Sequence, residues 1–164
     1  MTATDIWTPV GFARGAFGYD PWKAQCTILD NVANRRRTAV KSCHSSGKTS
    51  IAAMAVMWWI TRHPDGIALT TAPGWMQVEK LLWGEIRAYL LRSKIAYPKP
   101  NLTELKLAEG NYAVGLSTTE STRFQGFKAP HVLIVVDEAP GVAAEIWEAV
   151  RQGLTASGDV HILA

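Results

Sequence analysis

Between Lys48 and Thr61 the chain is apolar almost without interruption. A helix-length run apolar on all sides predicts a helix buried in the middle of a domain. Trp75 to Leu91 has a different pattern. Val78, Leu82, Ile86 and Tyr89 recur at three- and four-residue spacing, with Glu79, Lys80 and Arg87 elsewhere on the wheel, which predicts an amphipathic helix. Val132 to Val136 is a short, purely apolar run rich in β-branched residues, the mark of a central strand covered on both faces. Thr38–Lys41, Ile67–Thr71 and Asp159–Ala164 predict further strands, and Leu102–Leu107 with Tyr112–Leu116 predict two more around Glu109-Gly110-Asn111. A helix is predicted from Pro21, an allowed first-turn position, carrying Trp22, Gln25, Cys26, Ile28, Leu29 and Val32. Another spans Val142–Val150 with Val142, Ile146 and Val150 on one face. Residues 1–20 show no clear period and read as an N-terminal arm. Strands and helices alternate and the strands are wholly apolar, so the expected fold is three-layer α/β with a mostly parallel sheet.

Composition narrows this picture without changing it. At 164 residues, 48% hydrophobic and 19% charged, the chain suits one globular domain. Two cysteines are too few for a disulfide framework, and no Cys/His grouping has zinc spacing. The longest apolar run, Ile51 to Ile60, falls far below the roughly 20 residues of a membrane span. The N-terminus carries none of the segments of a secretory signal. A formal charge of +3 permits nucleic-acid contact without arguing for it.

The candidate chemistry starts at Ser42-Cys43-His44-Ser45-Ser46-Gly47-Lys48-Thr49. This is the phosphate-loop pattern with Ser42 in place of the first glycine. An apolar strand precedes it and a helix follows, as the chemistry requires. Backbone N–H groups of the loop and helix N-terminus wrap a β-phosphate. Lys48 reaches the β- and γ-phosphates, and the Thr49 hydroxyl is offered to Mg²⁺. Gly47 keeps the backbone close to the phosphate. The plainer reading, a serine-rich turn capping a helix, loses ground to a second signal. Asp137 and Glu138 end the apolar strand, the first suited to hold Mg²⁺ through water and the second to polarise an attacking water. Two adjacent carboxylates repel each other, so an unpaired structural role is costly, although acidic residues also favour helix N-termini. Between the two motifs there is room for the strand at Ile67–Thr71 and its helix. An inserted strand and a glutamate after the aspartate point to a motor-type ATPase that hydrolyses with its own glutamate.

These segments together resemble the large terminase subunit of tailed bacteriophages, an ATP-driven DNA-packaging motor. The resemblance covers nearly the whole chain from about Tyr19. Tyr19-Asp20-Pro21-Trp22 with Gln25 is similar to the family's adenine-recognising segment, which implies that Gln25 reads the base edge. Ser42–Thr49 is similar to its variant phosphate loop, which often lacks the first glycine. Thr70-Thr71-Ala72-Pro73-Gly74-Trp75 resembles its Thr-Ala-Pro segment, with Gly74 where a threonine is expected. Arg123-Phe124-Gln125-Gly126-Phe127-Lys128-Ala129, followed by Asp137-Glu138-Ala139-Pro140, is similar to its approach to the acidic strand. Many relatives carry a loop arginine on the γ-phosphate; residues 42–49 have none, and Lys41, Arg123 or a neighbouring subunit stand as substitutes.

The resemblance implies a phosphate-loop NTPase of the additional-strand, catalytic-glutamate class. Glu138 and Lys48 would act in catalysis, Gln25 and Ser42, Cys43, His44, Ser45, Ser46, Gly47, Lys48 and Thr49 would bind ATP, and Thr49 and Asp137 would hold Mg²⁺. It further implies double-stranded DNA, a portal protein, a small terminase subunit and other copies of the chain as partners, in the host cytoplasm and at the procapsid portal. The last strand, Asp159–Ala164, lies just before the family's coupling segment, so the expectation over 21–164 is a partial ATPase domain, incomplete at its C-terminus and without a nuclease domain. Two other readings share parts of the pattern: the ATPase core of a helicase or DNA-repair translocase, and a non-catalytic nucleotide-binding assembly module. Trp58, Trp59 and Trp83 read as core, Arg35–Arg37 as a solvated turn, and His63, His131 and His161 as surface or core residues without a carboxylate partner at visible spacing.

Overall fold

The structure is a computed structural model that describes residues 5–43, 45–117, 126–156 and 158–164. Six strands form one sheet: β1 (Arg37–Thr38), β2 (Gly66–Thr71), β3 (Glu104–Ala108), β4 (Asn111–Gly115), β5 (His131–Val136) and β6 (Asp159–Leu163). Their spatial order is β1-β6-β5-β2-β4-β3. All neighbours are parallel except the β3–β4 hairpin, which turns at Gly110 with φ of 76°. The strand expected over Thr38–Lys41 is shorter as a ladder and starts earlier. Pairing nonetheless continues past it, because the Val40 N–H donates to the Ala164 carbonyl at 2.7 Å.

Among the described residues four helices cover one face of the sheet: α1 (Pro9–Phe17), α2 (Lys23–Asn34), α3 (Lys48–Arg62) and α4 (Trp83–Arg92). A fifth, α5 (Ala144–Ala156), covers the other. Strand β5 shows why its sequence is apolar throughout. Leu133 and Val135 enter the core under α1–α4, whereas Val132, Ile134 and Val136 enter the core under α5. Every residue of α3 from Ile51 to Ile60 is buried, as its all-round apolar pattern requires.

Two expectations need correction. Residues 9–17, read from sequence as part of an irregular arm, form α1, and Phe12, Ala13, Ala16 and Phe17 are buried in the main core. The local signals are there: the Thr8 hydroxyl accepts from the Gly11 N–H, Pro9 opens the helix, and Gly18 closes it at φ of 62°. Small residues in between hid the period. The predicted Trp75–Leu91 helix buries Val78, Leu82, Ile86 and Tyr89 completely, but it begins as a π-helical segment, Gln77–Leu82, that runs directly into α4.

The order of the strands also corrects the sequence argument about an inserted strand. Strand β2 lies between the two motifs in sequence, yet in space it sits on the far side of β5 from β1, the strand that leads into the Ser42–Thr49 loop. The strand that separates β1 from β5 is β6, which follows both motifs in the chain.

Candidate functional site

Parallel strands end together at one edge of the sheet, and α/β folds place their sites outside those carboxyl ends. The loop after β1 and the acidic pair after β5 meet there. At the start of α3, Gly47 is the N-cap, held at φ of 81°. This left-handed conformation suits glycine. A Cβ at this position would lie 2.7 Å from Gln25 Nε2, so any side chain here would have to displace the Gln25 amide as well as adopt this backbone. Ser45 also takes positive φ, 60°, and the Ser42 and Ser46 hydroxyls bond each other at 2.7 Å. The loop is thereby wound around its own backbone. Lys48 Nζ donates to the carbonyls of Ser42 (3.4 Å) and Cys43 (3.1 Å), across the mouth of the loop. His44 lies outside the described residues.

Thr49 Oγ1 donates to Asp137 Oδ2 at 3.2 Å, a contact between residues 88 apart in sequence. Asp137 is 8% exposed. Burial pushes its carboxyl above the usual range, opposed by the Thr49 hydroxyl, the Glu138 N–H and Lys48. The acid is thus desolvated and has no direct cationic partner among the described residues. Glu138 stands beside it in the left-handed region, φ 50°, and its side chain is exposed with no hydrogen bond among the described residues. A non-glycine residue in this region is uncommon and is often found at functional sites. Here the conformation turns the chain sharply, so that the buried and exposed carboxylates project differently from adjacent positions.

Two clefts flank the loop. One, about 460 Å³, is bounded by Lys41, Lys48, Asp137, Glu138 and the ends of β5 and β6. The other, about 450 Å³, lies between the loop and α2, with Trp22 and Gln25 in its wall. Lys41 is exposed and borders both, whereas Arg123 lies outside the described residues. Gln25 is buried, and its amide is engaged internally. Oε1 accepts from the Tyr19 hydroxyl (3.0 Å) and the Trp22 N–H (3.2 Å), and Nε2 donates to the Ser46 carbonyl (3.4 Å).

The Thr-Ala-Pro segment leans on the same edge. The Thr71 carbonyl accepts from the Asp137 N–H at 2.9 Å, and Gly141 packs so closely on Pro73 that a Cβ there would come within 2.7 Å of its ring. Where a threonine was expected at Gly74, the Gln77 side chain accepts the Gly74 N–H at 2.9 Å, and the helical turn still forms. Sequence reasoning missed one group beside the loop. Ser50, in the first turn of α3, bonds Tyr89 and also donates to Glu85 Oε2 at 3.3 Å, tying α4 to the loop helix.

At the opposite edge the histidine reading is corrected. Asp159 bonds His131 Nδ1 (3.3 Å) through one oxygen and His161 Nε2 (3.2 Å) through the other. The β5–β6 register places His131 opposite Asp159, a pairing that chain spacing does not reveal.

No group of three or more His, Cys, Asp or Glu side chains able to hold a metal occurs among the described residues. One buried carboxylate beside one hydroxyl is nevertheless the oxygen set that Mg²⁺ takes when phosphates and water supply its other ligands. No family model and no curated protein matches the chain. Among solved structures it is similar to the ATPase domain of the large terminase of Thermus phage P74-26, at TM-score 0.63 and 19% identity, covering 90% of this chain and 66% of that one. An arginine-to-alanine variant of the same domain matches at TM-score 0.64 and 19% identity, with 90% and 65% covered. This chain therefore spans about two-thirds of the length of those domains. Across that span it has the fold of a large terminase ATPase domain.

Proposed function

We propose that the chain is the ATP-hydrolysing part of a motor that drives double-stranded viral DNA into a procapsid. The observation that carries the reading is the Thr49–Asp137 contact. It brings the end of a phosphate loop against a buried acid at the carboxyl edge of a parallel sheet, with β6 between the two strands. That arrangement supports the additional-strand, catalytic-glutamate class. The fold shared with the Thermus phage domain supports the packaging role.

In this reading the triphosphate lies along Ser42–Thr49. Lys48 exchanges the carbonyls of Ser42 and Cys43 for β- and γ-phosphate oxygens. Thr49 and Asp137 would hold Mg²⁺, which would neutralise charge on the phosphates. Glu138, free and exposed, orients a water toward the γ-phosphorus and takes its proton as the bond to the β-phosphate oxygen breaks. The partners are double-stranded DNA, a portal protein, a small terminase subunit and further copies of the chain, acting in the host cytoplasm at the procapsid portal.

The test is Mg²⁺-dependent ATP binding and steady-state turnover. Lys48→Ala is expected to lose binding. Glu138→Gln is expected to retain binding and lose about 10²-fold or more of turnover, the usual weight of a general base. Unchanged hydrolysis in either variant would overturn the assigned roles. Stimulation by double-stranded DNA and packaging with purified proheads separate this motor from a helicase-type relative.

A further inference from the structure

The first turn of α3 carries Lys48 and Thr49, and backbone bonds alone do not hold it. The first bond along the helix runs from the Ile51 N–H to the Gly47 carbonyl. The N–H groups of Lys48, Thr49 and Ser50 precede it, so no helical carbonyl stands in place to accept from them. Two side-chain tethers fix the turn from outside. Thr49 reaches Asp137 at the end of β5. Ser50, the next residue and about 100° further round the helix, reaches α4 instead.

The Ser50 link has a fixed polarity. A serine hydroxyl has one proton to donate. Ser50 donates it to Glu85 Oε2 at 3.3 Å, so the Tyr89 hydroxyl is the donor in its bond to Ser50 Oγ. Burial raises the Tyr89 hydroxyl above its usual pKa and keeps it a donor. The anchor is rigid. Tyr89 is fully buried, its ring packs on Phe17 at 5.2 Å between centroids, and the Arg92 guanidinium lies over the ring at 4.1 Å. Helix α4 is itself fixed to β2, because the Trp83 indole N–H donates to Thr70 Oγ1 at 3.0 Å. Cohesion of α3 and α4 does not require the hydroxyl, since Trp83, Ile86 and the Tyr89 ring share one apolar core with the buried face of α3. What the hydroxyl adds is orientation.

We infer that Tyr89, acting through Ser50 with Glu85 as the terminal acceptor, is a positioning residue that sets the rotation of the first turn of α3 and so aims the Thr49 hydroxyl at the metal position beside Asp137. This rests on the Mg²⁺–ATP reading above and deepens it. A bound ion would draw on the Thr49–Asp137 pair, whereas the Ser50 tether uses other atoms. The two loop groups differ in their sensitivity to rotation. Lys48 carries its charge on a flexible four-carbon stem and follows a phosphate through a small turn of the helix. Thr49 has a short, β-branched side chain with few rotamers and cannot.

The experiment measures equilibrium binding of a fluorescent ATP analogue to the 164-residue chain in Mg²⁺ and in EDTA. The ratio of the two affinities isolates the contribution of the metal, because an effect on the loop alone cancels. Tyr89→Phe removes the hydroxyl and keeps the ring. It is expected to lower that ratio about fivefold or more, the weight of one hydrogen bond, with affinity in EDTA unchanged. Ser50→Ala is expected to do the same, and the double variant to lose no more than either single one. Ser50→Thr, which restores a hydroxyl, is expected to keep the wild-type ratio. A wild-type ratio in Tyr89→Phe, even with a lowered thermal midpoint, would make the link merely structural and overturn the inference while leaving the ATP-binding reading in place. Equal ratios in Ser50→Ala and Ser50→Thr would overturn it in the same way, without any change to the core. Failure of the wild-type chain to bind the analogue, or to bind it more tightly in Mg²⁺, would overturn both.

Discussion

At the scale of single residues, the site is built from groups held in unfavourable states. Asp137 is buried with its carboxyl pushed upward by desolvation. A carboxyl raised in the folded state binds a proton more readily folded than unfolded, so at neutral pH its ionised form opposes folding. Asp137→Asn is therefore expected to raise the thermal midpoint at pH 7 while abolishing Mg²⁺-dependent turnover; a lowered midpoint would show that the carboxylate is a net structural asset. Gly47 makes the converse case. Gly47→Ala forces a Cβ into the left-handed region and against Gln25 Nε2, and costs about 1–3 kcal/mol. Urea unfolding measures this, and an unchanged midpoint would mean that the loop relaxes freely. The residue types Lys48, Thr49, Asp137 and Glu138 were legible in the sequence because phosphate chemistry demands those groups in that order. The internal engagement of Gln25 was not, because Tyr19 and Ser46 reach its amide only once α2 is docked.

At the scale of elements, periodicity carried most of the information. The buried face of Val78, Leu82, Ile86 and Tyr89, shared by the π-helical segment and α4, and the all-round burial of α3 follow from spacing alone. Helix α1 escaped because alanine and glycine leave little amphipathic contrast. Its contribution is nonetheless central: Phe12 is 2% exposed and meets Phe17 edge to face at 5.3 Å between ring centroids. Phe12→Ala is expected to destabilise the chain by about 3–5 kcal/mol, as for other buried aromatic truncations. Chemical denaturation would reveal it, and a cost below about 1 kcal/mol would return residues 1–20 to the status of an arm. The π-helical start of α4 is likewise absent from the pattern. Trp83, fully buried, donates its indole N–H to Thr70 Oγ1 at 3.0 Å, which fixes where the helix meets β2.

At the scale of the whole molecule, the two ends of the sheet have different chemistry. The Ser42–Thr49 loop and the Asp137–Glu138 pair meet at the carboxyl edge. At the other, the rings of His63 and His131 lie 4.2 Å apart between centroids, and His63 also packs on Trp59. Burial, with the neighbouring His131 and Arg62, lowers the His63 pKa from 6.5 to about 4. Between those values the unfolded chain binds the additional proton, so stability falls as pH drops from 6.5 toward 4. Thermal midpoints measured from pH 7 downward are expected to decline less steeply in His63→Gln than in wild type; equal slopes would remove His63 as the cause. The sequence by itself determined the α/β class, the buried strands and the residues suited to phosphate chemistry, because periodicity and side-chain chemistry are local. Only the tertiary structure decided that β6 lies between β1 and β5, that Asp159 serves two histidines, and that the Gln25 amide is engaged by Tyr19, Trp22 and Ser46. Those facts depend on which strands become neighbours and which side chains spend their hydrogen bonds on one another, and neither is written in the spacing along the chain.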